Sequence, residues 1–199
     1  MAVRTGRGSV GRVRIIGGHW RKSVLHFPAL EDLRPTPDRV RETLFNWLGQ
    51  DLGGLSCLDL FAGSGALGFE AASRGAARVV LVEARREAVQ ALRDNAERLK
   101  AGSLEIVGGD ALAWLSRAAR ANERFDVVFL DPPFRQNAHP DLLARLPGVL
   151  KPGARVHVEA PAPVMVPRGW RELRSARAGQ VSHQLLEWGD DRSGVPGDV

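Results

Sequence analysis

The chain has 199 residues, 44% hydrophobic and 26% charged, which suits one well-packed soluble domain with at most a small extension. No apolar run approaches the ~18 residues needed to cross a bilayer, and no apolar stretch follows the basic N-terminus as a secretory signal requires. A single cysteine, Cys57, excludes an internal disulfide framework and argues against a Cys-based metal site, while a net charge of +5 with its cations gathered in a basic N-terminal arm points to a polyanionic partner.

The cations are unevenly spread. Arg4, Arg7, Arg12, Arg14, Arg21 and Lys22 all precede the first acidic residue, Glu31. Residues 1–11 read as a Gly- and Arg-rich arm. Val13–Ile16 and Ser23–Phe27 read as a hairpin across the Gly17-Gly18 turn, with Trp20, Arg21 and Lys22 at its tip. Trp20 has two readings, stacking on a nucleic-acid base or covering the flank of the domain. Thr36 is expected to cap a helix that begins at Pro37 and ends near Gln50. Its apolar face is Val40, Leu44, Trp47 and Leu48, with Arg39 and Arg41 turned elsewhere.

Strand and helix then alternate. Strands are expected at 55–60, 78–83, 104–107, 125–130 and 155–159, and helices at 66–74, 87–100, 111–120 and 140–150, the last broken by Pro147. Such alternation implies a mostly parallel sheet with helices on both faces. Residues 170–176 and 181–188 flank Gly179 as a terminal antiparallel pair, and 190–199 form a loose tail. The resulting divisions are an arm and hairpin over 1–33, a main domain over 34–189 and the tail.

Two stretches carry chemistry. Asp59-Leu60-Phe61-Ala62-Gly63-Ser64-Gly65 leaves the first core strand and opens a helix, where glycines admit a ligand to the backbone and free N–H groups face it. With Gly68 it contains G-x-G-x-x-G, so a dinucleotide is one reading. Glu83 ends the second core strand, where a carboxylate suits ribose hydroxyls. Asp110, before Ala111, ends the third, where a carboxylate suits an adenine amino group. The second stretch, Asp131-Pro132-Pro133-Phe134, stops a buried strand abruptly, because neither proline donates to a ladder or allows a helix to start there. It presents a carboxylate, backbone carbonyls and an aromatic ring, followed by Arg135.

These motifs, in this order, resemble those of class I S-adenosylmethionine-dependent methyltransferases, and the Asp-Pro-Pro-Phe form resembles those that methylate amino groups. Arg14–Arg21, Arg34–Leu48 and Ala178–Val181 further resemble the RsmD family, bacterial 16S ribosomal RNA guanine-N2 methyltransferases, over about residues 12–188. The resemblance implies a Rossmann-like α/β fold with a seven-stranded, mostly parallel sheet, an antiparallel C-terminal strand pair and an N-terminal hairpin. It implies S-adenosylmethionine bound by Asp59, Phe61, Ala62, Gly63, Ser64, Gly65, Glu83, Asp110 and Ala111. Catalysis would fall to Asp131, Pro132, Pro133 and Phe134, and RNA contact to Arg12, Arg14, Trp20, Arg21, Lys22, Arg34 and Arg135. The implied partner is 16S rRNA, within a small-subunit particle, met by a cytoplasmic monomer. Ser182-His183-Gln184-Leu185 departs from the Tyr-Arg strand usual in that family. The alternatives are an amino methyltransferase acting on adenine or cytosine in DNA or another RNA, and a non-catalytic RNA-binding assembly factor. Cys57 reads as a buried structural cysteine rather than the nucleophile of a ring-carbon methyltransferase. His19, His139 and His183 show no metal-ligand spacing and read as surface residues, so no metal is expected.

Overall fold

The computed structural model describes residues 10–30, 33, 35–133 and 138–189; residues 1–9, Arg34, Phe134, Arg135 and 190–199, which carry several of the expectations above, lie outside the described residues. In chain order, β1 (Val10–Arg14) and β2 (Val24–Pro28) form the hairpin and α1 (Asp38–Leu48) leads into the sheet. There follow β3 (Ser56–Asp59), α2 (Ala66–Ser73), β4 (Arg78–Glu83), α3 (Arg86–Leu99), β5 (Leu104–Gly108), α4 (Ala111–Arg120), β6 (Phe125–Leu130), α5 (His139–Arg145), β7 (Leu150–Ala160), β8 (Trp170–Ala178) and β9 (Val181–Trp188). The main sheet has the order β5-β4-β3-β6-β7-β9-β8, parallel except for β9, which runs against both β7 and β8.

Its central strands read as unbroken apolar runs because both faces are covered. On one face Cys57, Leu81, Phe129 and Leu185 pack with Leu44 and Phe45 of α1, Phe69 of α2 and Leu92 of α3. On the other, Leu58, Val80, Val128 and Leu186 pack with Trp114 and Leu115 of α4 and Leu142 and Leu143 of α5. Pro147 ends α5 early; a 3-10 turn at Leu146–Val149 follows, and β7 begins at Leu150, five residues before the expected strand.

The hairpin is docked. Its first strand is Val10–Arg14 rather than Val13–Ile16, and Val13, Ile15, Leu25 and Phe27 are buried in the first core. Asn95 of α3 accepts from the His26 amide (3.1 Å) and donates to the His26 carbonyl (2.7 Å), completing the open edge of β2. The Gly17-Gly18 turn lies on the end of α2. A Cβ on Gly18, whose φ is +73°, would sit 1.9 Å from the Ser73 carbonyl oxygen, so only glycine fits. Trp20 donates its amide to Ser73 Oγ at 2.8 Å and packs its half-buried ring on Phe69, with centroids 6.4 Å apart.

Two expectations for α1 are corrected. Thr36 does not cap it: Pro37 holds the N-cap position, and the Thr36 hydroxyl donates to Glu159 Oε1 at 3.2 Å. Arg41, read as lying off the apolar face, is nevertheless fully buried, because a buried acid needs it. All eight residues of α2 are buried, and Glu70 among them accepts from the amides of Ile16 (2.9 Å) and Gly17 (2.7 Å), from Arg41 Nη1 (3.2 Å) and from Arg74 Nε (2.9 Å). Arg41 is held in turn by Asp38 Oδ1 (2.5 Å) and the Thr36 carbonyl (3.1 Å). His139 and His183, expected at the surface, are buried as well; His139 Nε2 lies 2.8 Å from the Glu159 carbonyl oxygen.

Removing one member of a buried ion pair typically costs about 3–5 kcal/mol, since the partner charge stays buried. Glu70→Ala should therefore lower the unfolding free energy in urea by about 3 kcal/mol or more. A loss below about 1 kcal/mol would show that the hairpin and α1 do not depend on this residue.

Candidate active site

The strand order sets acidic side chains along one edge of the sheet. Going from β5 through β4, β3 and β6 to β7, the carboxyl ends carry Asp110, Glu83, Asp59, Asp131 and Glu159 in turn. Neighbouring strands are about 4.8 Å apart, so these residues form a row. β3 is the strand at which the order reverses, the position where open α/β sheets bind ligands. Helices α2, α3 and α4 all start on this edge, and the positive ends of their dipoles face the row.

The loop after β3 is built by the row. Asp59 Oδ2 accepts from the Gly68 amide at 2.9 Å, and Glu83 Oε2 accepts from the Gly63 amide at 2.8 Å, while Glu83 Oε1 accepts from the Arg85 amide at 2.8 Å. Two carboxylates thus clamp one turn from both sides. The Ala62 amide donates to the Val82 carbonyl at 2.9 Å and the Gly65 amide to the Ala62 carbonyl at 2.6 Å. Gly63 and Gly65 have φ of +51° and +80°, the left-handed region that favours glycine. Ser64 is buried and Phe61 half-buried. Burial raises the Asp59 carboxyl to about 7; the Gly68 and Phe61 amides oppose that rise, and Asp131 and Glu83 reinforce it. Asp110 stands exposed as N-cap of α4, its Oδ1 accepting from the Ala113 amide at 2.8 Å, with Ala111 buried behind it. Its second oxygen faces no donor among the described residues. A ligand with a ribose and an exocyclic amine fits this line of acceptors.

β6 ends at Leu130, and the Asp131-Pro132-Pro133 corner follows it directly. Asp131 is half-buried, Pro132 buried and Pro133 exposed. Burial raises the Asp131 carboxyl to about 6, above the ordinary carboxylate range. Among the described residues neither this carboxylate nor the Pro132 carbonyl accepts a hydrogen bond. Beside them is Glu159, which the sequence reading passed over. It lies near the carboxyl end of β7, as Asp131 follows the end of β6, and that position at a strand end is the signal the sequence offers. Glu159 is buried; burial first, then Asp131, raise its carboxyl. Its Oε1 lies 3.8 Å from His183 Nδ1.

The cations expected to contact RNA lie on the surface of the hairpin. Arg12, Arg14, Arg21 and Lys22 are exposed on the hairpin, and Arg14 Nη2 donates to Asp38 Oδ2 at 2.8 Å. Cys57 is buried within β3, and burial pushes its thiol up to about 12, so it is an inert core residue. No helix among the described residues is long and apolar enough to cross a membrane.

The chain is similar to known proteins over most of its length. The model of the family described as Conserved hypothetical protein 95 matches residues 13–187. The Ribosomal RNA small subunit methyltransferase D of Escherichia coli K12 is 42% identical over 182 residues, covering 89% of this chain and 90% of its own. Its counterpart in Haemophilus influenzae is 42% identical over 183 residues, covering 89% and 94%. The solved structure of the Escherichia coli protein yhhF superposes with a TM-score of 0.79 at 42% identity, over 90% of this chain and 99% of that one.

The two glycines of the loop should respond differently to substitution. A Cβ on Gly65 would lie 2.6 Å from Leu92 Cδ2, whereas one on Gly63 meets nothing closer than 3.8 Å. Gly63→Ala should cost the left-handed penalty of about 1–2 kcal/mol, and Gly65→Ala clearly more, because a core contact must also give way. Calorimetric titration with S-adenosylhomocysteine should show the larger loss of affinity for Gly65→Ala. Equal losses would mean that the tight Leu92 contact does not shape the loop.

Proposed function

This chain belongs to the RsmD family, and we propose that it transfers a methyl group from S-adenosylmethionine to the exocyclic amino group of a guanine in 16S ribosomal RNA. The observation that carries this reading is the place of the Asp131 carboxylate and the Pro132 carbonyl at the carboxyl end of β6, the strand paired with β3, which leads into the glycine loop. Residues 34–189 act as the methyltransferase domain and residues 1–33 as the arm and hairpin that meet RNA. The protein works as a monomer in the cytoplasm, on a small-subunit particle.

S-adenosylmethionine, when bound, supplies an electrophilic methyl group on a sulfonium centre. Glu83 receives the ribose hydroxyls and Asp110 the adenine amine, each with lone pairs left over from its own amide contacts. Asp59 and the backbone of Phe61, Ala62, Gly63, Ser64 and Gly65 form the floor, and Ala111 packs behind Asp110. A guanine amine is a weak nucleophile because its lone pair is delocalised into the ring. Asp131 and the Pro132 carbonyl each accept one of its hydrogens, which favours a pyramidal nitrogen and the positive charge that develops on it. Asp131 then takes the proton that the methylated amine releases, a role suited to a carboxyl whose proton affinity burial has raised. Pro132 and Pro133 keep both acceptors fixed. Phe134 stacks on a base drawn out of its helix. Arg12, Arg14, Arg21 and Lys22 contact phosphates, with Arg34 and Arg135 nearer the corner. The Arg14–Asp38 pair is exposed and worth no more than about 1 kcal/mol, so a phosphate can replace the aspartate.

Asp131→Ala should lower the methylation rate by about 10²–10³-fold while leaving S-adenosylhomocysteine affinity within a few-fold, measured with labelled donor on small-subunit particles. Near-wild-type turnover would remove the corner from the mechanism. Changing Arg12, Arg21 and Lys22 together to Ala should reduce the slope of log affinity against log salt by about 2, at about 0.7 per single-strand phosphate contact. An unchanged slope would make the hairpin a structural element only.

A further inference from the structure

We propose that His157, Glu159 and His183 form a binding site for a divalent transition-metal ion, zinc above all, under α1 at the carboxyl end of β7. The inference is independent of methyl transfer and runs against the sequence reading, which saw no ligand spacing. The spacing is hidden because the third ligand comes from another strand. His157 and Glu159 are two apart on β7 and so share a face, and His183 stands directly opposite Glu159 in the antiparallel register of β7 and β9.

The three side chains are 0%, 5% and 4% exposed, and one donor atom from each lies within 4.8 Å of the others. All four ring nitrogens of His157 and His183 are buried without a hydrogen-bond partner among the described residues. Leaving such groups unsatisfied costs about 1–3 kcal/mol each, so two bare imidazoles in one spot call for something that satisfies them. Their stacking, with centroids 5.7 Å apart and planes 3° from parallel, leaves the nitrogens unpaired.

The spacing says what kind of partner fits. At 3.8 Å, His183 Nδ1 and Glu159 Oε1 are too far apart for the charge-assisted hydrogen bond of about 2.7–2.9 Å that would otherwise join them. Two ligands on a tetrahedral zinc, each about 2.0–2.1 Å from the metal, stand about 3.3 Å apart. A small contraction therefore turns this pair into ligands of one ion. The His157 ring must leave the stack by turning about χ2, because lone pairs of parallel rings do not converge. Two imidazoles and a carboxylate are a donor set that zinc favours, with one position left for water. Charge argues the same way. Among the described residues no lysine or arginine pairs with Glu159, and Asp131 and Asp59 lie near it along the row, so a divalent ion bound here would stabilise its ionised carboxylate.

The test uses untagged full-length protein, stripped with chelator and titrated with zinc chloride by calorimetry. One equivalent should bind, with a rise in Tm. His157→Phe and His183→Phe, which bury rings of similar size without polar atoms, should keep or raise the metal-free Tm and weaken zinc binding by at least 100-fold. The variant His19→Gln, at an exposed histidine, should change nothing. X-ray absorption on the wild-type zinc protein should show two imidazole ligands, a readout that does not depend on the variants folding. Absence of saturable binding, undiminished binding in both Phe variants, or a spectrum without imidazole would each overturn the proposal.

Discussion

The arrangement depends on one buried carboxylate. Glu70 sits in a helix with no exposed residue, and it binds two hairpin amides, an arginine of α1 and an arginine of its own helix. A charge in that position is tolerable only with all its partners present. Since α2 begins at the glycine loop, whatever fixes α2 also fixes the loop. The hairpin and α1 are thus held to the same element that shapes the candidate cofactor site. Nucleic acid gripped by the hairpin would be gripped in a fixed relation to that site.

The second constraint is the row of five acids on one sheet edge. So many carboxylates at strand spacing repel one another, and burial raises the cost, as the elevated Asp59, Asp131 and Glu159 carboxyls record. The fold offsets this with helix N-termini and with backbone amides. Asp59 and Glu83 spend lone pairs on Gly68 and Gly63, and Asp110 spends one on Ala113. Asp131 spends none within the described residues, which is what separates an acceptor for substrate from an acceptor that shapes a loop.

Much of this was legible in the residues because the signals are local. The apolar runs, the turn glycines and the double proline each declare an element without reference to distant sequence, and their alternation implies the mostly parallel sheet, though not its strand order. What stayed hidden was set by partners far along the chain. Arg41 falls off the apolar face of α1, and nothing local marks it as buried; Glu70, 29 residues later, draws it inside. Thr36 has every local mark of an N-cap, yet Glu159, 123 residues away, takes its hydroxyl. His139 and His183 look like surface histidines until β7 is placed beside them. A polar residue whose partner is remote in sequence carries no local sign of its burial.

The central claim is that the Asp131–Pro132 corner orients a guanine amine. The most direct measurement is to incubate the protein with labelled S-adenosylmethionine and small-subunit particles that lack the modification, then digest the RNA and identify the labelled nucleoside by mass spectrometry. The account predicts a single product, N2-methylguanosine, at one position of 16S rRNA. Label on an adenine, a cytosine or a guanine ring atom, or no transfer to RNA at all, would contradict it.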